Sequence, residues 1–162
     1  MLKKGQGAFE YVMIVGIAMV LIVPGAMLFY DYSKRSGDEL TRARIGAVGN
    51  DILDSVEKIY YIGENSWETI EVDVPDNVNW IYFLKQGNDY ELIIEYESES
   101  GTSEAVFFSD INVTTPYNIT GPDGRERWYI NDVPSDPANA HPGLNVIRVY
   151  SKGHYVNITE VT

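Results

Sequence analysis

The chain has 162 residues, which is room for one domain and one long helix but not comfortably for two domains. Its net charge of −12 argues against general nucleic-acid binding, because an acidic surface repels phosphate backbones. The sequence contains no cysteine, which excludes disulfides, cysteine-based zinc sites and thiol catalysis.

An apolar run dominates the N-terminal region. No charged residue occurs from Tyr11 to Tyr30, and about twenty helical residues cover about 30 Å, the hydrocarbon thickness of a bilayer. Lys3 and Lys4 precede the run, and positive charge stays in the cytoplasm, so we expect the chain from Asp31 onward to lie outside. In the alternative of an ordinary secretory signal peptide, which has a shorter apolar core, the cut would follow Pro24-Gly25-Ala26.

Glu10 is a carboxylate at the edge of this apolar helix. An ionisable group at such a position is costly, and by default it indicates a functional role with a partner. The alternative is that Glu10 lies at the level of the lipid headgroups and is simply solvated. Its position alone does not decide between the two.

The residues around Glu10 resemble the class III signal peptide of archaeal type IV pilin-like proteins. Lys3-Lys4-Gly5 is followed by Gln6-Gly7-Ala8-Phe9-Glu10-Tyr11 and then at once by the apolar run. The resemblance implies that a prepilin peptidase removes residues 1–5 as a basic leader, cutting between Gly5 and Gln6. It also implies that Glu10, then the fifth residue of the mature chain, is the glutamate used in assembly.

The resemblance further implies a homo-oligomer, a helical filament built with the pilus assembly machinery. The Glu10 carboxylate would pair with the new α-amine of Gln6 on a neighbouring subunit, because two charges buried together cost less than either alone. The apolar helices would then pack into the filament core. Small residues would permit their close approach: Gly7, Ala8, Gly16 and Ala18.

Pro24-Gly25 interrupts the apolar helix in mid-span. Proline removes a backbone hydrogen bond and kinks a helix. The resemblance implies a helix that loosens here on assembly, whereas a simple kink could be stabilised by neighbouring helices. The sequence leaves both alternatives open.

A second helical segment is predicted from residue 39 to 62. Its apolar residues recur at steps of three and four, which predicts an amphipathic helix packed on the following domain: Ile45, Val48, Ile52, Val56 and Ile59. Gly63 is a fitting stop. Residues 32–38 are polar and contain Gly37, which indicates a break or bend. The predicted N-terminal helix is therefore 6–62, with 6–31 for the membrane or filament core and 39–62 amphipathic.

Residues 63–162 are predicted to form an extracellular β-rich head. Period-two patterns separated by Gly, Asn and Pro turns predict strands at 69–74, 78–84, 90–96, 104–109, 144–151 and 155–160. Such strands are typical of an antiparallel sheet or sandwich, so the chain is predicted to be α+β. Residues 110–143 are predicted to be a long loop, with a candidate short strand at Trp128-Tyr129-Ile130.

Three Asn-X-Thr triplets are candidate N-glycosylation sites, provided that the head is exported. They begin at Asn112, Asn118 and Asn157. If Val156 and Ile158 face the core, strand alternation places Asn157 on the outside.

No catalytic motif is present, neither a Gly-x-Ser-x-Gly elbow nor a phosphate loop nor His-Glu-x-x-His. We therefore expect no enzyme activity and no cofactor. His141 and His154 are far apart and are expected to be surface or packing residues, so no metal site is predicted. Asp132, Asp136 and Asn139 are a minor candidate for calcium, since their spacing fits no EF-hand. The aromatic residues of the head are expected mostly in the core, with a carbohydrate-binding patch as an alternative.

These features predict a structural subunit of an archaeal type IV pilus-like surface filament, used for adhesion or surface attachment. The chain would be a single-pass membrane protein before assembly and part of an extracellular filament afterwards. Its partners would be further copies of itself, the peptidase and the assembly machinery, with no nucleic acid. The alternative is a membrane-tethered extracellular binding protein that does not polymerise.

Overall fold

The structure is a computed structural model that describes residues 3–86, 89–99, 101–121, 123–130 and 142–161. Within these ranges a single helix, α1 (Lys3–Ile62), is followed by nine strands. The chain divides into two compact units, Met1–Glu39 and Leu40–Thr162. This arrangement of one long N-terminal helix and antiparallel-rich sheets confirms the predicted α+β class.

The α1 helix contains Pro24 and continues through residues 32–38, where we predicted a break or bend. The predicted break is therefore not present. The segment contains one glycine and no proline, and a single glycine costs a helix only about 1 kcal/mol relative to alanine. The polar composition of the segment places it in solvent without ending the helix.

The predicted stop at Gly63 is confirmed. Gly63 has φ 112°, a left-handed conformation that glycine adopts without strain. Its N–H donates to the carbonyl of Ile59 at 3.3 Å. The Ser66 hydroxyl donates to the same carbonyl at 2.9 Å and to that of Gly63 at 2.6 Å, so the carbonyl of Ile59, in the last turn of α1, is satisfied.

The strands of the second unit form two sheets. They are β1 (Trp67–Val74), β2 (Val78–Gln86), β3 (Asp89–Ser98), β4 (Gly101–Ser109), β5 (Val113–Thr114), β6 (Tyr117–Thr120), β7 (Glu126–Tyr129), β8 (Gly143–Ser151) and β9 (Val156–Glu160). The four-stranded sheet has the order β1-β8-β9-β5, and the five-stranded sheet has the order β4-β3-β2-β7-β6. Neighbours are antiparallel except β5 and β9, which are parallel.

The predicted loop at 110–143 is wrong over its first part, because this segment supplies β5, β6 and β7. Each is only two to four residues long, and each is held by a partner: β5 by β9, β6 by β7, and β7 by β2. The candidate strand at 128–130 corresponds to the end of β7, and Ile130 follows it as a buried residue. Residues 131–141 lie outside the described ranges.

One main core joins the helix and both sheets. All five residues of the predicted amphipathic stripe of α1 are buried in it, which confirms that stripe. The four-stranded sheet contributes Val72 and Val149 among others, and the five-stranded sheet contributes Phe83 and Leu92. Each sheet therefore has an inner face on this core and an outer face that points away from it.

A smaller apolar cluster lies on the outer face of the five-stranded sheet. Tyr82, Leu84 and Ile93 are buried there, and Trp80 and Tyr129 pack against them. Residues that alternate with them, such as Phe83, belong to the main core, so this sheet is apolar on both faces. A sheet with one solvated face normally carries polar residues on that face.

Candidate assembly helix and sheet surfaces

The apolar segment of α1 has no covering in a single copy of the chain. Every side chain from Phe9 to Ser33 is exposed, with Phe29 73% exposed. The most apolar window has a mean hydropathy of 2.6 and none of it is buried, so α1 is long and apolar enough to span a membrane. Since each large apolar side chain gains about 1.5–3 kcal/mol on burial, the segment requires an apolar environment.

Glu10 is exposed within this segment, between Phe9 and Tyr11. It makes no hydrogen bond or ion pair with any residue whose side chain the structure describes. The helix places it on the surface that lipid or a neighbouring helix would cover, where an unpaired carboxylate is costly.

The predicted partners of Glu10 are only partly described. The backbone of Lys3, Lys4, Gly5 and Gln6 belongs to the first turns of α1, but their side chains lie outside the described part of the chain. The cut between Gly5 and Gln6 and the pairing of Glu10 with a Gln6 amine remain predictions. At Gly7 and Gly16 nothing lies within 4 Å of the point where a Cβ would stand, so a single copy leaves both positions open.

The three glycosylation triplets have different surroundings. Asn112 precedes β5 and is exposed, and Asn118 is exposed on β6, at an edge of the five-stranded sheet. Asn157 lies on β9, between β5 and β8, and is half-buried. Its amide donates to the Thr114 hydroxyl at 3.3 Å and is 3.5 Å from the Thr114 carbonyl. Val156 and Ile158 are buried as predicted, but Asn157 is less accessible than alternation alone suggested, because Thr114 of the neighbouring strand binds it.

The predicted metal candidates fall largely outside the described residues. His141, Asp132, Asp136 and Asn139 lie in a range that the structure does not describe. His154 is exposed in the turn between β8 and β9. In the described part of the chain, no group of three or more His, Asp or Glu side chains is placed to hold a metal ion.

The outer face of the five-stranded sheet carries a patch of aromatic and acidic residues. The pairing of β2, β3 and β4 aligns Trp80 with Glu95 and Glu95 with Glu104. The Tyr129 ring lies 5.6 Å from that of Trp80 and 5.4 Å from that of Tyr82. We call the following set the acidic patch: Trp80, Glu95, Glu104, Val106, Phe108 and Tyr129.

Electrostatic repulsion and burial act together in the acidic patch. Burial raises the pKa of Glu95, a bond with Asn79 opposes this, and Glu104 and Glu97 raise the pKa further. The nearby cation is Arg127, which is held by both oxygens of Asp123 at 3.0 and 2.9 Å and lies 5.8 Å from the Tyr82 ring. Hydrogen bonding to Arg127 lowers the pKa of Asp123. Arg127 therefore forms its ion pair with Asp123 and acts on Glu95 only as a weaker attraction that lowers its pKa.

At one end, the outer face of the four-stranded sheet carries basic side chains beside aromatic rings. The Arg148 guanidinium lies 5.4 Å from the Trp67 ring centroid, and Lys152 Nζ lies 4.3 Å from that of Tyr150. Trp67 and Tyr150 are cross-strand partners on β1 and β8. We call Trp67, Arg148, Tyr150 and Lys152 the basic patch. Glu71 and Asp73 lie on the same face toward the other end of β1.

Sequence reasoning missed both patches. It assigned Trp67, Trp80, Tyr82 and Phe108 mostly to the core, whereas Trp67 is 60% and Phe108 is 73% exposed, and Trp80 and Tyr82 lie in the outer cluster. The available signal was strand parity: once Phe83 and Leu92 face the core, Tyr82, Ile93 and Glu95 must face outward.

Comparisons of the chain with models of known protein families, with curated proteins and with solved structures give no match.

Proposed function

We propose that the chain is a structural subunit of an archaeal type IV pilus-like surface filament for adhesion or surface attachment. The observation that carries this proposal is that every residue of α1 from Phe9 to Ser33 is exposed in a single copy. A helix of this length and apolarity is covered either by lipid or by other copies of the same helix. The proposal uses both coverings, lipid before assembly and neighbouring subunits afterwards.

Glu10 favours a filament over a permanent membrane tether. A lone carboxylate on a lipid-facing helix is a cost without a benefit if the chain stays in the membrane. In a filament, cleavage between Gly5 and Gln6 creates an α-amine that pairs with Glu10 of a neighbouring subunit. This pair fixes the axial stagger of the helices, because any other stagger leaves a buried charge unpaired.

The proposed sequence of events follows from these charges. Lys3 and Lys4 hold the leader in the cytoplasm and the head is exported. The peptidase removes residues 1–5, and the assembly machinery lifts the helix out of the bilayer. Helix contacts with lipid are exchanged for contacts with other helices, and the heads of the subunits then lie on the filament surface.

The experiment that tests this proposal combines two measurements on the protein from its own cells. Mass spectrometry of the N-terminus is expected to find a mature chain that begins at Gln6. Electron microscopy and immunoblotting of sheared surface fractions are expected to find the chain in filaments. An intact Met1, a cut after Ala26, or a chain present only in membranes would overturn the proposal, and the last result would favour a non-polymerising tether.

A further inference from the structure

The acidic patch and the basic patch, one on each outer sheet face of the second unit, carry charges of opposite sign. On the five-stranded sheet, Glu95 and Glu104 are directly paired across β3 and β4. Like charges directly opposite each other destabilise a sheet. Arg127 forms its ion pair with Asp123, and its attraction and the Asn79 bond offset the repulsion on Glu95 only in part, since the pKa of Glu95 stays raised.

The acidic patch is also apolar at its surface. Val106 is 42% exposed and Phe108 is 73% exposed, and both lie on the same side of β4 as Glu104. Neighbouring exposed apolar residues that are flanked by polar groups are typical of an interaction surface. The occupant that this surface fits is cationic and partly aromatic or apolar.

The basic patch has that chemistry. Arg148 and Lys152 are exposed, and each lies over an aromatic ring, Trp67 and Tyr150. Neither forms an ion pair within the described residues. Aromatic rings hold such cations in place through cation–π attraction without neutralising them.

We propose that the acidic patch of one copy binds the basic patch of a second copy. The inference rests on the proposed filament and deepens it, since it assigns the surfaces through which neighbouring heads meet. In this contact Arg148 or Lys152 of one head lies between Glu95 and Glu104 of the next, and the exposed Phe108 and Trp67 side chains are covered together.

The position of the two patches makes the contact head-to-tail. Both sheets share one core with their inner faces, so their outer faces point away from each other. A contact between different surfaces of identical subunits leaves one free patch of each kind at the ends of any oligomer. Such a contact can add one subunit after another. It builds an open helical array unless the rotation between subunits closes a ring, and an open helical array agrees with a filament.

Charge exchange between the patches tests the contact directly. Glu104→Arg or Arg148→Glu alone is expected to lower filament yield about tenfold, the factor that corresponds to about 1.4 kcal/mol. The double variant with both changes restores opposite charges at every interface, and its yield is expected to return toward that of the wild type. A double variant of Asp76→Arg and Arg125→Glu, two exposed residues in turns outside both patches, is the matched control and is expected to leave the yield unchanged.

Cysteine pairs provide a second readout, because the chain has no cysteine of its own. With Glu104→Cys and Arg148→Cys in one chain, oxidation of sheared filaments is expected to give a ladder of multimers. Either cysteine alone is expected to give no ladder, since its partner surface lacks a thiol. Immunoblots of the processed chain in membranes control for folding and export.

The outcomes separate the two proposals. A wild-type chain without filaments overturns the proposed function and this inference with it. Normal filaments from both single charge variants, or a double variant that is no better than the singles, overturn this inference alone. If the single charge variants form normal filaments but their cells no longer attach to a surface, this inference is also overturned. That result would favour a cationic partner outside the filament.

Discussion

The ring of Phe107 on β4 lies against Gly49 of α1, in the space that a Cβ at position 49 would occupy. Gly49 is buried, four residues after Ile45 and three before Ile52 in the stripe that packs on the sheets. Glycine lowers intrinsic helix stability, and here it allows a sheet aromatic residue to approach the helix backbone. The contact fixes how closely α1 and the five-stranded sheet approach within the second unit.

We expect Gly49→Ala to destabilise the head. Over-packing a filled core costs about 1–3 kcal/mol, which exceeds or offsets the gain of about 1 kcal/mol from helix propensity. Denaturation of the full chain in detergent, followed by tryptophan fluorescence, measures the change, because Trp67, Trp80 and Trp128 all lie in the head.

Gly46→Ala is the matched control for this prediction. Nothing lies within 4 Å of a Cβ at position 46, so this variant is expected to stabilise the head by up to about 1 kcal/mol. The close contact predicts that the two glycine variants differ in sign or clearly in size. Equal effects of the two glycine variants on stability would contradict the close contact. So would a double variant of Gly49→Ala and Phe107→Leu in which the smaller side chain does not relieve the cost of Gly49→Ala.

The serine that closes α1 gives a second prediction. Ser66→Ala removes the hydroxyl that bonds the carbonyls of Ile59 and Gly63. Loss of this bond is expected to lower the free energy of unfolding by about 1 kcal/mol. Ser36→Ala, at an exposed helix position, is expected to change it by less than about 0.5 kcal/mol. A Ser66 variant as stable as the Ser36 variant would show that the bond contributes nothing.

The acidic patch makes stability depend on pH with a defined sign. Burial is the main cause of the raised pKa of Glu95 in the folded chain. The folded state therefore binds this proton more tightly than the unfolded state. As pH rises from the ordinary carboxyl pKa through the raised folded value, ionisation of Glu95 makes the folded chain less stable.

Glu95→Gln removes this site from the titration. We expect the variant to unfold at higher denaturant concentration than wild type near neutral pH and to lose that advantage below about pH 4, where an unfolded carboxyl is also protonated. Glu57→Gln, at an exposed position of α1, controls for the loss of one negative charge. If the stability advantage of the Glu95→Gln variant over wild type grew as pH falls, the result would contradict this prediction.

Glu10 is the residue on which filament assembly is predicted to depend. Glu10→Gln keeps the size of the side chain and removes its charge, so that the pair with a Gln6 amine is lost. We expect leader removal and export to continue and filaments to disappear. Immunoblots of membranes and electron microscopy of sheared fractions measure the two outcomes separately. Normal filaments from this variant would refute the role of Glu10 in assembly.

The surroundings of the three Asn-X-Thr triplets predict different occupancy by glycans. Asn112 and Asn118 are exposed, and Asn118 lies on an edge strand. Asn157 lies between two strands and donates its amide to Thr114. Glycopeptide mass spectrometry of the exported chain is therefore expected to find glycan on Asn112 or Asn118 and not on Asn157. A glycan on Asn157 alone would contradict this order.

The sequence predicted the elements whose residues repeat regularly. The stripe from Ile45 to Ile59 and the six longer strands were recognisable because burial on one face imposes a period on the residues. The stop at Gly63 was recognisable because few residues other than glycine adopt its φ.

The elements that the sequence did not predict depend on distant partners. β5 has two residues, too few for a pattern, and exists because it pairs with β9. The two patches were missed because aromatic residues lie on both faces of the strands, as Trp80 and Phe83 do on β2, and residue type alone does not show which face points to the core. Glu10 and the Gly5–Gln6 junction were found from a resemblance, since their proposed role needs a second copy of the chain.

The order of strands in the four-stranded sheet also bears on when the head can fold. β1 pairs with β8, so that Trp67 lies opposite Tyr150 near the other end of the chain. Contacts between residues so far apart in sequence form late and slow the folding of a domain. The ribosome must therefore release β8 before β1 has a partner, and α1 is available for insertion well before that. Under the proposed function, the biogenesis of this chain therefore separates into an early event, the insertion of α1, and a late event, the folding of the head.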